Sequence, residues 1–264
     1  MARANGGRFL RKLLFFAAVV GIAAALYHLI PDWLSHKKSA EAYQQLAADS
    51  VTIDDSGAAE KPKDWWSKEV HIAFADLKQQ NPDVIAWIRF DDTETININY
   101  PVLYSGDNSY YLKRDIHKEH SDAGCVFLEQ LNEPDFSDYY AILYGHNMRD
   151  GTMFGDLKKY KQDGVYENNQ YFTLYTEDVA YRYRIFSFED AVNGGPVYQV
   201  GFQPDEEYRA FLSDLIAASI VETDIALRAQ DHVLTLSTCN GTGQRQRFAV
   251  HAVRVDEQPT PDGD

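Results

Sequence analysis

From Pro82 onward the chain breaks into short stretches in which apolar and polar residues alternate, and that succession restricts the fold more than any other feature. Val84 to Phe90, Ile96 to Leu103, Cys125 to Leu128, Tyr139 to Tyr144, Tyr171 to Tyr175, Val179 to Glu189, Val233 to Cys239 and Arg247 to Val255 each read as a strand. Many strands joined mostly by short loops predict a closed or nearly closed β-barrel, and eight strands are enough to fill their own interior with side chains. Two helices interrupt the series. Thr152 to Tyr160 sets Met153, Leu157 and Tyr160 on one face, and Asp205 to Ile220 does the same with Tyr208, Phe211, Leu212 and Leu215. The second follows Pro204 and opens on acids, as suits a helix N-terminus. The fold class predicted is therefore mainly β with helices, as an eight-stranded barrel with N-terminal helices and a long helix before the cysteine strand.

Upstream of the barrel the pattern changes. Leu13 to Ile30 carries no formal charge apart from a possible one on His28, and at about 1.5 Å per residue it covers roughly 27 Å, close to a bilayer core. Arg3, Arg8, Arg11 and Lys12 precede it with no acid among them, which predicts the N-terminus inside and everything after Pro31 outside. Ala23-Ala24-Ala25 offers a signal-peptidase alternative. The uncleaved anchor is preferred, since apolarity continues through Leu26, Tyr27, Leu29 and Ile30. Asp32 to Ala48 fits a mostly polar helix, Asp49 to Lys63 a linker, and Ser67 to Gln80 a helix with Val70, Phe74 and Leu77 on its packed face, stopped by Asn81-Pro82. The domain boundaries expected are thus residues 1–30 for basic tail and anchor, 31–81 for linker and helices, 82–255 for the barrel, and 256–264 for a disordered tail.

The 264 residues are 45% hydrophobic and include 17 tyrosines, which suits a folded protein. Net charge is -15 although the first twelve residues are basic, so the remainder is strongly acidic and disfavours nucleic acid as a partner. Acidity also confers solubility in an extracellular setting. The sequence has no CxxC, HExxH or EF-hand loop, so neither metal nor other cofactor is predicted. Cys125 and Cys239 could form one disulfide, but Cys125 lies in an apolar strand, where cysteine serves as a small hydrophobe.

Cys239 ends a strand in which Leu234 and Leu236 alternate with Thr235 and Ser237, so period two assigns it to the more polar, outward face. After the loop from Asn240 to Gln246, Arg247 opens the last strand on a face shared with Ala249, His251 and Val253. A thiol nucleophile needs a base and an oxyanion donor. His146, at a strand end in Tyr144-Gly145-His146-Asn147-Met148-Arg149-Asp150-Gly151, is the histidine followed by a dense loop motif. The other histidines have polar, helical or strand contexts that fit structural roles. Arg247 is the oxyanion candidate, with Arg245 in the loop as its rival.

Taken together, TLSTC, the arginine opening the next strand and the upstream YGHNMRDGTMFGDL resemble the class B sortases, cysteine transpeptidases of Gram-positive cell surfaces. The resemblance spans roughly Asn81 to Val255. It implies a sortase-type barrel, a membrane-held enzyme, and a catalytic set of His146, Cys239 and Arg247. It further implies that Cys239 attacks a threonine carbonyl in the sorting signal of an exported surface protein, with a peptidoglycan precursor or a pilin lysine as amine acceptor. Two other readings remain: a hydrolytic cysteine protease, and a non-catalytic surface-binding module. Papain-like proteases set cysteine at a helix start and ahead of histidine, the reverse of the order here.

Overall fold

In the computed structural model, which describes residues 4–54, 65–239 and 246–260, a long helix α1 (Ala4–Ser50) leads into β1 (Val51–Ile53). Then come α2 (Trp65–Lys68), β2 (Val70–Ile72), α3 (Phe74–Gln80), β3 (Val84–Phe90), β4 (Asn99–Leu103), β5 (Val126–Leu128) and β6 (Tyr140–His146). The chain continues through α4 (Val165–Asn168), β7 (Tyr171–Tyr175), β8 (Val179–Val192), α5 (Glu206–Ala217), β9 (Val233–Cys239) and β10 (Gln246–Pro259). It divides into two units, Met1–Ala42 and Tyr43–Asp264.

Within the second unit, eight strands close in the order β10-β8-β7-β3-β4-β5-β6-β9, so the predicted barrel is present. Most neighbours are antiparallel. The β4/β5 and β6/β9 pairs are parallel, which a chain of simple hairpins would not give. The interior is apolar, and Ile88, Phe90, Leu143, Phe172 and Leu236, all buried, lie on that face of their strands. A second apolar cluster lies on the outer face of β6, β8, β9 and β10, where Tyr140, Ile142, Phe186, Val233 and Ala249 pack against Phe202, Tyr208, Phe211 and Leu215 of α5 and its lead-in. Asp205 caps α5 by accepting from the Tyr208 N–H at 3.0 Å.

Several expectations are corrected. Ser67 to Gln80 is not one helix: Val70 and Ile72 form a strand whose partner is Val51–Ile53. Val70 and Ile72 are both buried, so a period of two holds across a segment where the helical spacing of Val70, Phe74 and Leu77 also fits. Thr152 to Tyr160 becomes a 3₁₀ helix, Gly155–Lys161, after Met153 takes a positive φ. The tail is ordered as far as Thr260: Asp256, Glu257, Gln258 and Pro259 pair with β8, whose length offers partners to residues without apolar character. Residues 55–63 of the expected linker and 261–264 of the tail lie outside the described residues.

The apolar run before Pro31 is helical and continues without a break into the polar segment. Leu13, Leu14, Phe15, Phe16, Val19, Val20 and Ile22 are exposed. Among the described residues no helix is long and apolar enough to cross a membrane. The side chains of residues 24–26, 28 and 29, including most of the Ala23-Ala24-Ala25 segment, are outside that description.

Candidate active site

Strand β6 is buried on both faces, with Ala141 and Leu143 in the barrel interior and Tyr140 and Ile142 in the outer cluster. Alternation assigns His146 to the outer row, one place beyond Tyr144. Its neighbour in the sheet is β9, parallel, with the register Tyr140↔Val233 running unbroken to His146↔Cys239. On the other side of β9, β10 is antiparallel with Ala249 opposite Ser237. Continued to the start of β10, that register sets Arg247 level with Cys239. Three adjacent strands therefore bring His146, Cys239 and Arg247 to one level at one end of the barrel. The side chain of Cys239, the loop residues 240–245 and Arg245 with them lie outside the described residues. Arg247 is half-buried.

His146 itself is buried, with its Nε2 2.6 Å from the carbonyl oxygen of Leu112. A carbonyl can only accept, so Nε2 carries the proton whether the ring is neutral or charged. Nδ1 is then the nitrogen at which the ring gains or loses a proton. Leu112 sits in a 3₁₀ turn, Tyr110–Lys113, and a backbone carbonyl has no signature that a sequence could display.

The loop after His146 explains its own composition. Phe154 returns its N–H to the His146 carbonyl at 2.9 Å, and its ring lies over Gly145, where a Cβ would come within 2.6 Å of the ring. A Cβ at Gly155 would meet the Met148 carbonyl oxygen at 2.4 Å. Asp150 accepts from both the N–H and the hydroxyl of Thr152, and buried Asp156 accepts from the Asn97 N–H at 3.0 Å. The motif is thus a turn folded tightly against the end of β6, and its glycines are the places of closest approach.

The polar row of β9 is not outward in the sense expected. Thr235 and Ser237 are fully buried. The Thr235 hydroxyl donates to the Tyr140 hydroxyl at 2.8 Å and lies 2.8 Å from His251 Nδ1, while Ser237 pairs with the Tyr198 hydroxyl at 2.9 Å. Period two separates the faces of a strand but is silent on what covers the second one; here α5 and its lead-in do. Burial pushes the His251 imidazole below its usual range, which fits the structural role expected of it. Tyr144 and Tyr198 stack with centroids 6.3 Å apart, and Tyr144 donates to Glu129, which also accepts from Asn108. These rim residues escaped the sequence reading because they are scattered along the chain and share no spacing.

Cys125 is a free, fully buried thiol. Its sulfur donates to the Arg114 carbonyl at 3.2 Å, and burial pushes it up to about 12. At neutral pH it is overwhelmingly protonated, and the thiol is a poor nucleophile.

Comparison with known proteins identifies the family. The profile of the Sortase domain family matches residues 92–255. Sortase B of Listeria monocytogenes is 31% identical over 172 residues, covering 65% of this chain and 69% of that protein. The crystal structure of sortase B from Bacillus anthracis in complex with AAEK1 superposes with a TM-score of 0.70 at 28% identity, covering 85% of this chain and 99% of that one. Sortase B of Clostridium perfringens gives a TM-score of 0.64 at 32% identity, over 70% of this chain and 100% of that one.

Proposed function

Given that the chain belongs to the sortase family, in its class B, and is a cysteine transpeptidase, we propose that Cys239 is its nucleophile, His146 its acid and base, and Arg247 its oxyanion donor. The observation that carries the reading is the register pairing of His146 with Cys239 across β6 and β9, with Arg247 opening β10 on the other side of β9. The buried, protonated state of Cys125 argues for Cys239 by contrast.

In this reading the Cys239 thiolate attacks the carbonyl carbon of a threonine in a sorting signal, forming a C–S bond. Arg247 donates to the developing oxyanion with a forked pair of N–H groups that stays charged throughout. As the tetrahedral species collapses, the amide C–N bond breaks and His146 gives a proton from Nδ1 to the departing amine. The thioester then accepts a second amine, whose proton passes back to His146 Nδ1, and the thiolate leaves. The acceptor is an amine of the cell wall or of a pilus subunit, and the substrates are exported surface proteins. We further propose that the first thirty residues hold the enzyme in the cell membrane, N-terminus inside and catalytic domain outside. The charge-free run from Leu13 to Ile30, the basic residues before it, and the exposed side chains of Leu13, Phe15 and Phe16 support this.

The test is to incubate the full chain in detergent with a library of sorting-signal peptides and candidate amines, and to look for a thioester by mass spectrometry. A peptide thioester on Cys239, resolved by amine rather than water, is expected. A thioester on Cys125 would overturn the assignment of the nucleophile, and release to water alone would turn the reading into hydrolysis.

A further inference from the structure

The Leu112 carbonyl that accepts from His146 Nε2–H is held from two sides. Within its own turn, the Tyr111 side chain is fully buried and its hydroxyl donates to Asp83 at 2.6 Å while accepting from Asn81 at 2.8 Å. Against the turn lies Gly124, with φ +58. A Cβ there would stand 2.5 Å from the Tyr111 carbonyl oxygen, 2.7 Å from the Leu112 carbonyl oxygen and 3.0 Å from the Leu112 carbonyl carbon. All three are backbone atoms, so no rotamer change relieves the overlap. Gly124 is itself pinned: its N–H donates to Ser121 at 3.2 Å, its carbonyl accepts from Tyr43 at 2.7 Å, and the next N–H, that of Cys125, donates to the Tyr111 carbonyl at 3.0 Å.

We propose that Gly124 is a positioning residue for His146: the hydrogen in place of a side chain lets the Leu112 carbonyl stand where it receives Nε2–H, which keeps Nδ1 as the proton-exchanging atom. The proposal rests on the reading of His146 as acid and base, and it adds the device that chooses the tautomer. A methyl group at 124 must move either the Leu112 turn, whose carbonyl then leaves the imidazole, or the Gly124 segment, which then leaves Tyr43. The first outcome is the one expected. Asn81, Asp83 and Tyr111 tie the far end of the turn, but none of them touches Leu112 O itself.

Gly124→Ala combines this overlap with the ordinary penalty of a positive φ for a residue with a Cβ. Gly164→Ala separates the two, since Gly164 has φ +82 and nothing within 4 Å of its would-be Cβ. In the full chain, Gly124→Ala should lower turnover of the peptide and amine pair selected above by about tenfold or more, with KM within about twofold, while Gly164→Ala keeps wild-type turnover with a smaller loss in Tm. Nitrogen NMR of labelled histidine, at a pH where the ring is neutral, should show His146 as the Nε2–H tautomer in the wild type and a mixture in Gly124→Ala. Wild-type turnover and an unchanged tautomer in Gly124→Ala would overturn the proposal, as would an equal loss of turnover in Gly164→Ala. Should Gly124→Ala fail to fold, Tyr111→Phe loosens the same turn from its other end. A tautomer mixture is then expected, and an unchanged tautomer with unchanged turnover sinks the idea. The NMR result stands apart from the functional reading, which fails instead if His146→Ala retains turnover.

Discussion

His146 and Cys239 are register partners at the ends of two parallel strands, β6 and β9. Paired strands run about 4.8 Å apart, and opposed positions lie on the same face of the sheet. Two residues far apart in the chain are thereby set at one level by backbone pairing rather than by a flexible loop. A site built on strands is held more rigidly than one built on loops.

The two cysteines should separate cleanly by reactivity. In native protein at pH 7.5, iodoacetamide should label Cys239 alone, and Cys239→Ala should take no label until it is unfolded. Cys125→Ala should keep acyl-enzyme formation while losing up to a few kcal/mol of stability through the small cavity left in the packed wall. Mass spectrometry of labelled peptides decides it: label on Cys125 in folded protein would contradict its burial.

Arg247 and Arg245 should differ in kind. Arg247 lies within a paired strand, opposite Ala191, so its backbone has a fixed direction. Arg247→Ala should lower turnover by about 10²-fold or more without unfolding the protein, since oxyanion donors are typically worth that much. Arg247→Lys should rescue poorly because a point charge lacks the forked geometry. Arg245→Ala should act mainly on KM, and the assignment fails if its effect on turnover exceeds that of Arg247→Ala.

The contact between Gly145 and Phe154 should appear as strong coupling. Gly145→Ala inserts a methyl group into the Phe154 ring beside His146, and overpacking of this kind costs about 1–3 kcal/mol. In a Phe154→Ala background the same change should cost much less. Urea denaturation of the single and double variants measures the difference, and additive effects would show that the ring is free to move aside.

The buried His251 should make stability depend on pH. Burial depresses its folded pKa, so the neutral ring is favoured in the fold. The associated stability is complete above the unfolded value of about 6.5. It is lost as pH falls below that value toward the folded pKa, by at most about 1.4 kcal/mol per pH unit. Urea denaturation at pH 7.5 and 5.5 should show wild type losing more stability on acidification than His251→Gln. Equal losses would mean that the ring titrates alike in both states.

The eight strands were legible because alternation is a local property: β3, β7 and β9 begin and end where the apolar pattern does. Elements whose boundaries depend on a partner were not. Val70–Ile72 became a strand because Val51–Ile53 lies beside it, and Asp256–Pro259 because β8 is long enough to receive them. Likewise Thr235 and Ser237 carry a polar pattern whose burial depends on where α5 lands.

His146, Cys239 and Arg247 could be chosen from residue type, from strand ends and from a resemblance, all of which the linear chain contains. That they share a level could not, because it follows from parallel pairing of β6 with β9 and antiparallel pairing of β9 with β10, and register is a relation between segments. The sequence by itself thus determined the strands, the fold class and the candidate chemistry. Only the tertiary structure decided that the Leu112 carbonyl holds Nε2–H of His146, and that Gly124 leaves that carbonyl its room. Each of these is a contact between backbone or side-chain atoms distant in the chain, and no local pattern of hydrophobicity encodes it.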